Sequence, residues 1–255
     1  MITVVTYDGS FEGLLTAVFE VYEYKLAEVA FSRSSNYQDT IFNTTHQVVA
    51  SGDKCRRVWK GLEHKLSAKA LGDLYKAFLS EQPDIDNVLL DYIRHVFANT
   101  VSVEQDFSHP AVLRVVQMAR MVHREKHRME AFVRFQLTRD HLYYAVVEPD
   151  FDVLPLIRQH FQDRYADQLW LIYDARRKYG IYYDKESVTT VAMHFSEEVA
   201  AGKDIRSIQD EQEGLYQLLW QQYFSSVNIL ARKNTRLHIQ HMPRRYWKYL
   251  PEKLL

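Results

Sequence analysis

Two histidines four residues apart, His123 and His127 in HREKHR, have the spacing at which a helix presents two ligands to one metal ion. The zinc-protease pattern needs a glutamate directly after the first histidine, and Arg124 stands there. Glu125 lies one residue further, about 200° around a helix from His123, too far to act as a base beside a shared metal. Val112, Val115, Val116, Ala119 and Val122 form the apolar stripe of the same segment, and the two histidines are expected near it, packed and hydrogen-bonded. Cys55, the only cysteine, has Lys54, Arg56 and Arg57 to favour a thiolate. Its register with Val58, Trp59, Leu62 and Leu66 predicts a buried, structural thiol instead. Glu148, Asp150, Asp152, Asp174 and Asp184 fall at predicted strand ends, where carboxylates gather if the ends meet; turn formation explains them equally. No nucleophile elbow, phosphate loop or dinucleotide fingerprint occurs. No catalytic residue is assigned, and no metal or cofactor is expected.

The cations are more distinctive. Arg114, Arg120, Arg124 and Arg128, with Gln117, make a stripe on the face opposite the valines, its members about 6 Å apart along the axis. Guanidinium groups in such a row suit phosphate oxygens, and a solvated face paired with nearby acids is the alternative. Arg176, Arg177 and Lys178 form a basic hairpin tip, predicted to be exposed. No acidic residue stands between Glu213 and Glu252, while Arg232, Lys233, Arg236, Arg244, Arg245 and Lys248 all do. Tyr246, Trp247 and Tyr249 interleave with them. Cations neutralise phosphates and aromatic rings stack on unpaired bases, a pairing suited to single-stranded nucleic acid. Alternatively the rings are core anchors that pin the tail. The stripe and the tail are expected to form one DNA-facing surface, because a chain of formal charge −1 binds DNA well only with its cations gathered on one side.

These groups must be held by the elements around them. Residues 2–6 read as a strand, Asp8-Gly9 as a turn and Ser10 as the cap of an amphipathic helix. Helical periodicity recurs three times between 53 and 99, most clearly in Ile85, Val88, Leu89, Tyr92, Ile93, Val96 and Phe97. A further helix starts near Pro110 and runs to about 128. The period then becomes that of strands at 131–139 and 142–148, with a helix at 153–165, two more strands at 169–174 and 179–184, and another at 187–195. A last helix is predicted at 209–226. Paired strands after a run of helices predict an α+β fold: an antiparallel sheet with packed helices and a helical N-terminal half. One domain over 1–255 is expected, helix-rich at 1–129, sheet-rich at 130–195, and closed by a helix and the basic aromatic tail at 196–255.

The apolar share of 47% and charged share of 25% are those of an ordinary globular chain. The N-terminus carries no signal-like pattern and no apolar run is long enough to span a bilayer, so a cytoplasmic protein is expected.

Five stretches taken in order resemble a bacterial family of DNA metabolism and DNA repair proteins built on a domain of unknown function. They are YDGSFEGLLTAVFE (7–20), HREKHRMEAFVRF (123–135), YYAVVEPDFDVLPLI (143–157), LWLIYDARRKYGIYYD (169–184) and RKNTRLHIQHMPRRYWKYLPE (232–252). The resemblance implies a DNA-related role, since members are typically encoded beside a radical-SAM DNA repair protein. Longer members add a uracil-DNA-glycosylase-like domain, which a chain ending at Leu255 is expected to lack. It implies no reaction and no site residue. The expectation is therefore a DNA-binding accessory factor working with a radical-SAM partner. Two alternatives stand beside it: a DNA-acting enzyme using the strand-end carboxylates or His123 and His127, and a protein-interaction scaffold.

Overall fold

The computed structural model describes residues 2–34, 44–138, 141–192, 239 and 241–253. The helix predicted at 209–226 and the cations Arg232, Lys233 and Arg236 lie outside the described residues. The fold is α+β, with a helix-rich N-terminal half. It divides into two compact units, residues 1–123 and 124–255.

In the first unit β1 (Thr3–Tyr7) leads through Asp8-Gly9 into α1 (Phe11–Glu23). Ser10 caps that helix as predicted, its hydroxyl accepting from the Gly13 amide at 2.8 Å. Gly9 takes a φ of 84°, a left-handed conformation that favours glycine. β2 (Val29–Arg33) and β3 (Thr44–Gln47) flank β1 in a wholly parallel sheet of order β2-β1-β3. These flanking strands were not legible in the sequence, because β3 is short and largely exposed and so carries no apolar alternation. The three predicted helices follow as α2 (Gly52–Glu63), α3 (Ala68–Phe78) and α4 (Ile85–Ala98). Ile85, Leu89, Tyr92, Ile93 and Val96 of α4 are buried, and with Leu14, Val18, Leu62 and Leu74 they supply much of this unit's core.

Helix α5 (Pro110–Phe132) runs from the first unit into the second. It outlasts its predicted end because Val122, Glu125 and Met129 prolong the inward stripe at helical spacing. The strand expected at 131–139 therefore shrinks to β4 (Gln136–Leu137). After it come β5 (Tyr143–Val147), α6 (Leu154–Arg164), β6 (Trp170–Asp174), β7 (Tyr179–Tyr183) and β8 (Val188–Ala192). They form one sheet of order β4-β5-β6-β7-β8.

The predicted hairpins β4/β5 and β6/β7 are present. The sheet as a whole is mixed rather than antiparallel, because β5 and β6 pair in parallel, from Tyr143↔Trp170 to Val147↔Asp174. The physical reason is the connection: α6 carries the chain back to the starting edge, which a parallel pair requires. Leu154, Ile157 and Phe161 bury one side of α6, and Phe161, Phe135, Tyr165 and Tyr183 gather around Trp170. Parallel pairing places the carboxyl ends of β5 and β6 side by side, and everything of functional interest in this unit stands there.

Candidate functional site

The segment after β5 carries Glu148, Asp150 and Asp152, and β6 ends on Asp174, so four of the five strand-end acids meet at one edge of the sheet. Each already has a partner. Asp174, fully buried, accepts from the Arg176 and Arg177 amides at 2.9 and 3.1 Å and from the Arg177 guanidinium at 2.9 Å. Burial pushes the Asp174 carboxyl up, against the pull of Arg177. Asp152 accepts from the Tyr179 hydroxyl. Asp184 lies apart, closing the β7–β8 turn by accepting from the Glu186 and Ser187 amides at 2.9 and 2.7 Å.

Onto this edge packs the tail, as two short 3-10 turns at Arg244–Tyr249 and Pro251–Lys253. Tyr246 is buried and donates its hydroxyl to Glu125. Glu125, 1% exposed, also accepts from the Arg245 guanidinium and from the Asp150 amide, each at 2.9 Å. Arg245 bridges onward to the Asp150 carboxylate at 2.8 Å. Burial works against the Arg245 charge, but Glu125, Tyr246 and Asp150 outweigh it and hold the guanidinium above its usual pKa. Glu148 takes a hydrogen bond from the Lys248 ammonium and another from the Tyr249 hydroxyl at 2.6 Å, and both hold its carboxyl below the usual range. Burial and the carboxylates beneath them raise the phenols of Tyr246 and Tyr249. The tail is thus pinned by Arg245, Tyr246, Lys248 and Tyr249, alternating cation and phenol, each of which reaches an acid of this edge or of α5.

Around these contacts opens a cleft of about 360 Å³ lined by Glu148, Asp150, Arg176, Arg244, Arg245 and Lys248. Four cations face two carboxylates. Arg245 and Lys248 are committed to acids, whereas Arg176 gives one guanidinium nitrogen to the Asp150 carbonyl at 3.2 Å and Arg244 lies 5.8 Å from the centre of the Trp247 ring. Arg176 and Arg244 are exposed. Trp247 is half-buried and donates its indole N–H to the Met242 carbonyl at 3.1 Å. The tail aromatics therefore divide: Tyr246 is a core anchor, while Trp247 and Tyr249 keep part of their surface.

Three sequence expectations are corrected. Arg177 does not share the exposure of Arg176 and Lys178: it turns inward to Asp174 and to the Pro149 carbonyl at 3.1 Å, because the buried carboxylate needs a counter-charge. His123 and His127 are exposed rather than packed, since His123 falls one position past Val122 and His127 midway between Glu125 and Met129, both off the inward stripe. Cys55 is only half-buried; burial, with Glu12 nearby, pushes its thiol up. The arginines of α5 are distributed over both units. Arg114 and Arg120 are exposed in the first, whereas in the second Arg124 is exposed and Arg128 stands 3.6 Å from Glu125.

Sequence reasoning also passed over a histidine pair in the first unit. The His95 and His109 rings stack at 4.0 Å, and His95 Nε2 lies 3.0 Å from Asp106. The Asn99 amide nitrogen lies 3.3 Å from His95 Nδ1 and donates to the His95 carbonyl at 2.8 Å, so both ring nitrogens have a neighbour. The arrangement fastens the end of α4.

Fold and site together define an α+β protein whose second unit places a cation-rich cleft at the carboxyl ends of a parallel strand pair. The chain belongs to DUF4130, a family named for its domain of unknown function, which it matches over residues 83–252. No curated protein matches it. A pGpG-specific phosphodiesterase, PggH from Vibrio cholerae, is similar at 10% identity and a TM-score of 0.37, over 78% of this chain and 95% of that one; a likeness so distant carries no argument. Among the described residues no helix is long and apolar enough to cross a membrane.

Proposed function

We propose that this protein is a DNA-binding accessory factor in DNA metabolism or repair, acting with a radical-SAM partner, and that the cleft of the second unit contacts DNA phosphates. One observation carries the reading: four cations surround the cleft against two carboxylates, and Arg176 and Arg244 direct exposed guanidinium groups to it without an ion pair to a carboxylate among the described residues. Arginine in this setting favours phosphate oxygens. The carboxyl ends of parallel strands are also where α/β sheets commonly receive ligands. The half-buried Trp247 ring stands 5.8 Å from Arg244 and 5.3 Å from Lys253, so an unpaired base that stacks on it would take the place of one of these cations.

The test is a binding titration of single-stranded DNA against the double variant Arg176→Ala, Arg244→Ala, with thermal melts in parallel. Both side chains are exposed, so the melting temperature is expected to hold. Affinity is expected to fall at least tenfold, since hydrogen bonds to charged groups contribute about 1.5–3 kcal/mol each. Unchanged affinity at unchanged stability rules the cleft out as the DNA site. Co-purification from native cells is expected to recover both DNA and the radical-SAM protein.

A further inference from the structure

We infer, building on the proposed function, that the cleft takes the terminal phosphate of a DNA strand, a phosphate monoester, rather than a phosphodiester within the strand. The first argument is charge. An internal phosphodiester carries one negative charge, whereas a terminal monoester carries about −1.5 to −2 at neutral pH and offers three strong acceptor oxygens. Four cations line the cleft; Arg245 and Lys248 are paired with carboxylates, and the two guanidinium groups with no such pair among the described residues, Arg176 and Arg244, match a dianion.

The second argument is shape and the position of the acids. At about 360 Å³ the cleft stands near the small end of ligand sites, which run roughly 300–1,000 Å³. A phosphate with its sugar suits that space. A strand passing through would have to enter and leave past Glu148 and Asp150, both partly exposed at 39% and 47%, and would meet like charge. A strand end enters once.

The third is the state of the donors. Arg245 and Lys248 are held by Glu125, Asp150 and Glu148, so their positions are set before any ligand arrives. Arg176 and Arg244 remain to close on the phosphate from exposed positions, a two-guanidinium grip of the kind monoester oxygens accept.

The experiment compares one single-stranded oligonucleotide in four forms: 5′-phosphorylated, 3′-phosphorylated, hydroxyl at both ends, and closed into a circle. Free deoxynucleoside monophosphate serves as competitor. A terminal phosphate at one end is expected to tighten binding about tenfold over the hydroxyl-ended and circular forms, consistent with one additional charge-assisted contact. Arg176→Ala with Arg244→Ala is expected to abolish the difference. Equal binding of all four forms overturns the inference and leaves the DNA-binding reading standing. Absence of binding to every form overturns both. Tight binding of the free monophosphate with no binding of the oligonucleotides also overturns both, identifying a mononucleotide site instead.

Discussion

Glu125 is the residue on which the candidate site turns, and it was set aside in the sequence because it stands on the wrong side of His123 for metal chemistry. Its signal was legible all the same. Val122, Glu125 and Met129 follow helical spacing, so an acid occupied the inward stripe and needed partners. The sequence could not reveal those partners, since Tyr246 and Arg245 lie more than a hundred residues away. Cys55 misled in the opposite direction: its stripe is real, with Val58 and Leu62 buried, but the stripe's first turn stays partly exposed. Replacing Glu125 with alanine removes the acceptor shared by Tyr246, Arg245 and the Asp150 amide. Loss of one partner from a fully buried ion pair costs about 3–5 kcal/mol, and because Arg245 is 38% exposed and keeps Asp150, urea denaturation should register a destabilisation below that range. Glu125→Gln, which keeps an acceptor oxygen, should cost less. A Glu125→Ala variant as stable as the parent would show that the tail anchor is dispensable.

Among the elements, those with strong periodicity and clear caps were legible, as α1, α4 and the β6/β7 hairpin illustrate. Strand pairing was not. Whether β5 pairs with β6 in parallel depends on where α6 leaves the chain, and that is a property of packing rather than of either strand. The tail was recognised by composition alone, and its role as a strap over the β5 and β6 ends came only from the structure. That strap is pH-sensitive through Glu148, whose carboxyl is held below the ordinary glutamate range by the hydrogen bonds from Lys248 and Tyr249. A depressed pKa in the folded state contributes stability that is complete above the unfolded value and is lost as pH falls through the folded one. The Glu148 contribution should therefore be complete at neutral pH, begin to fade as pH falls to about 4.3 and be gone only below the depressed folded value. Amide exchange over 244–250, corrected for intrinsic rates, should show protection falling across that window. In Glu148→Gln the protection should already be lower at neutral pH and flatter below it. Protection that holds steady through the acid range in the parent would mean that Glu148 does not secure the tail.

For the whole molecule the governing fact is its charge, −1 overall and with a pI of about 6.8. Such a chain has no general attraction for a polyanion, so its DNA affinity must come from however many cations a local surface presents. That number can be read from salt dependence, because each phosphate neutralised on a single strand contributes about 0.7 to the slope of log affinity against log salt. If Arg176 and Arg244 each neutralise one phosphate charge, as they would on a single terminal dianion, the slope should be close to 1.4, and engagement of all four cleft cations would bring it to about 2.8. Arg245 and Lys248 are committed to carboxylates, which places the expected value nearer the lower figure. The double variant Arg176→Ala, Arg244→Ala should then flatten the dependence almost completely. A parent slope well above about 2.8 would assign the excess to cations outside the cleft, with Arg114, Arg120 and Arg124 or the cations at 232–236 as the candidates. In that case the double variant would lower the slope by no more than about 1.4, and alanine substitutions in each of those groups would identify which one supplies the remainder.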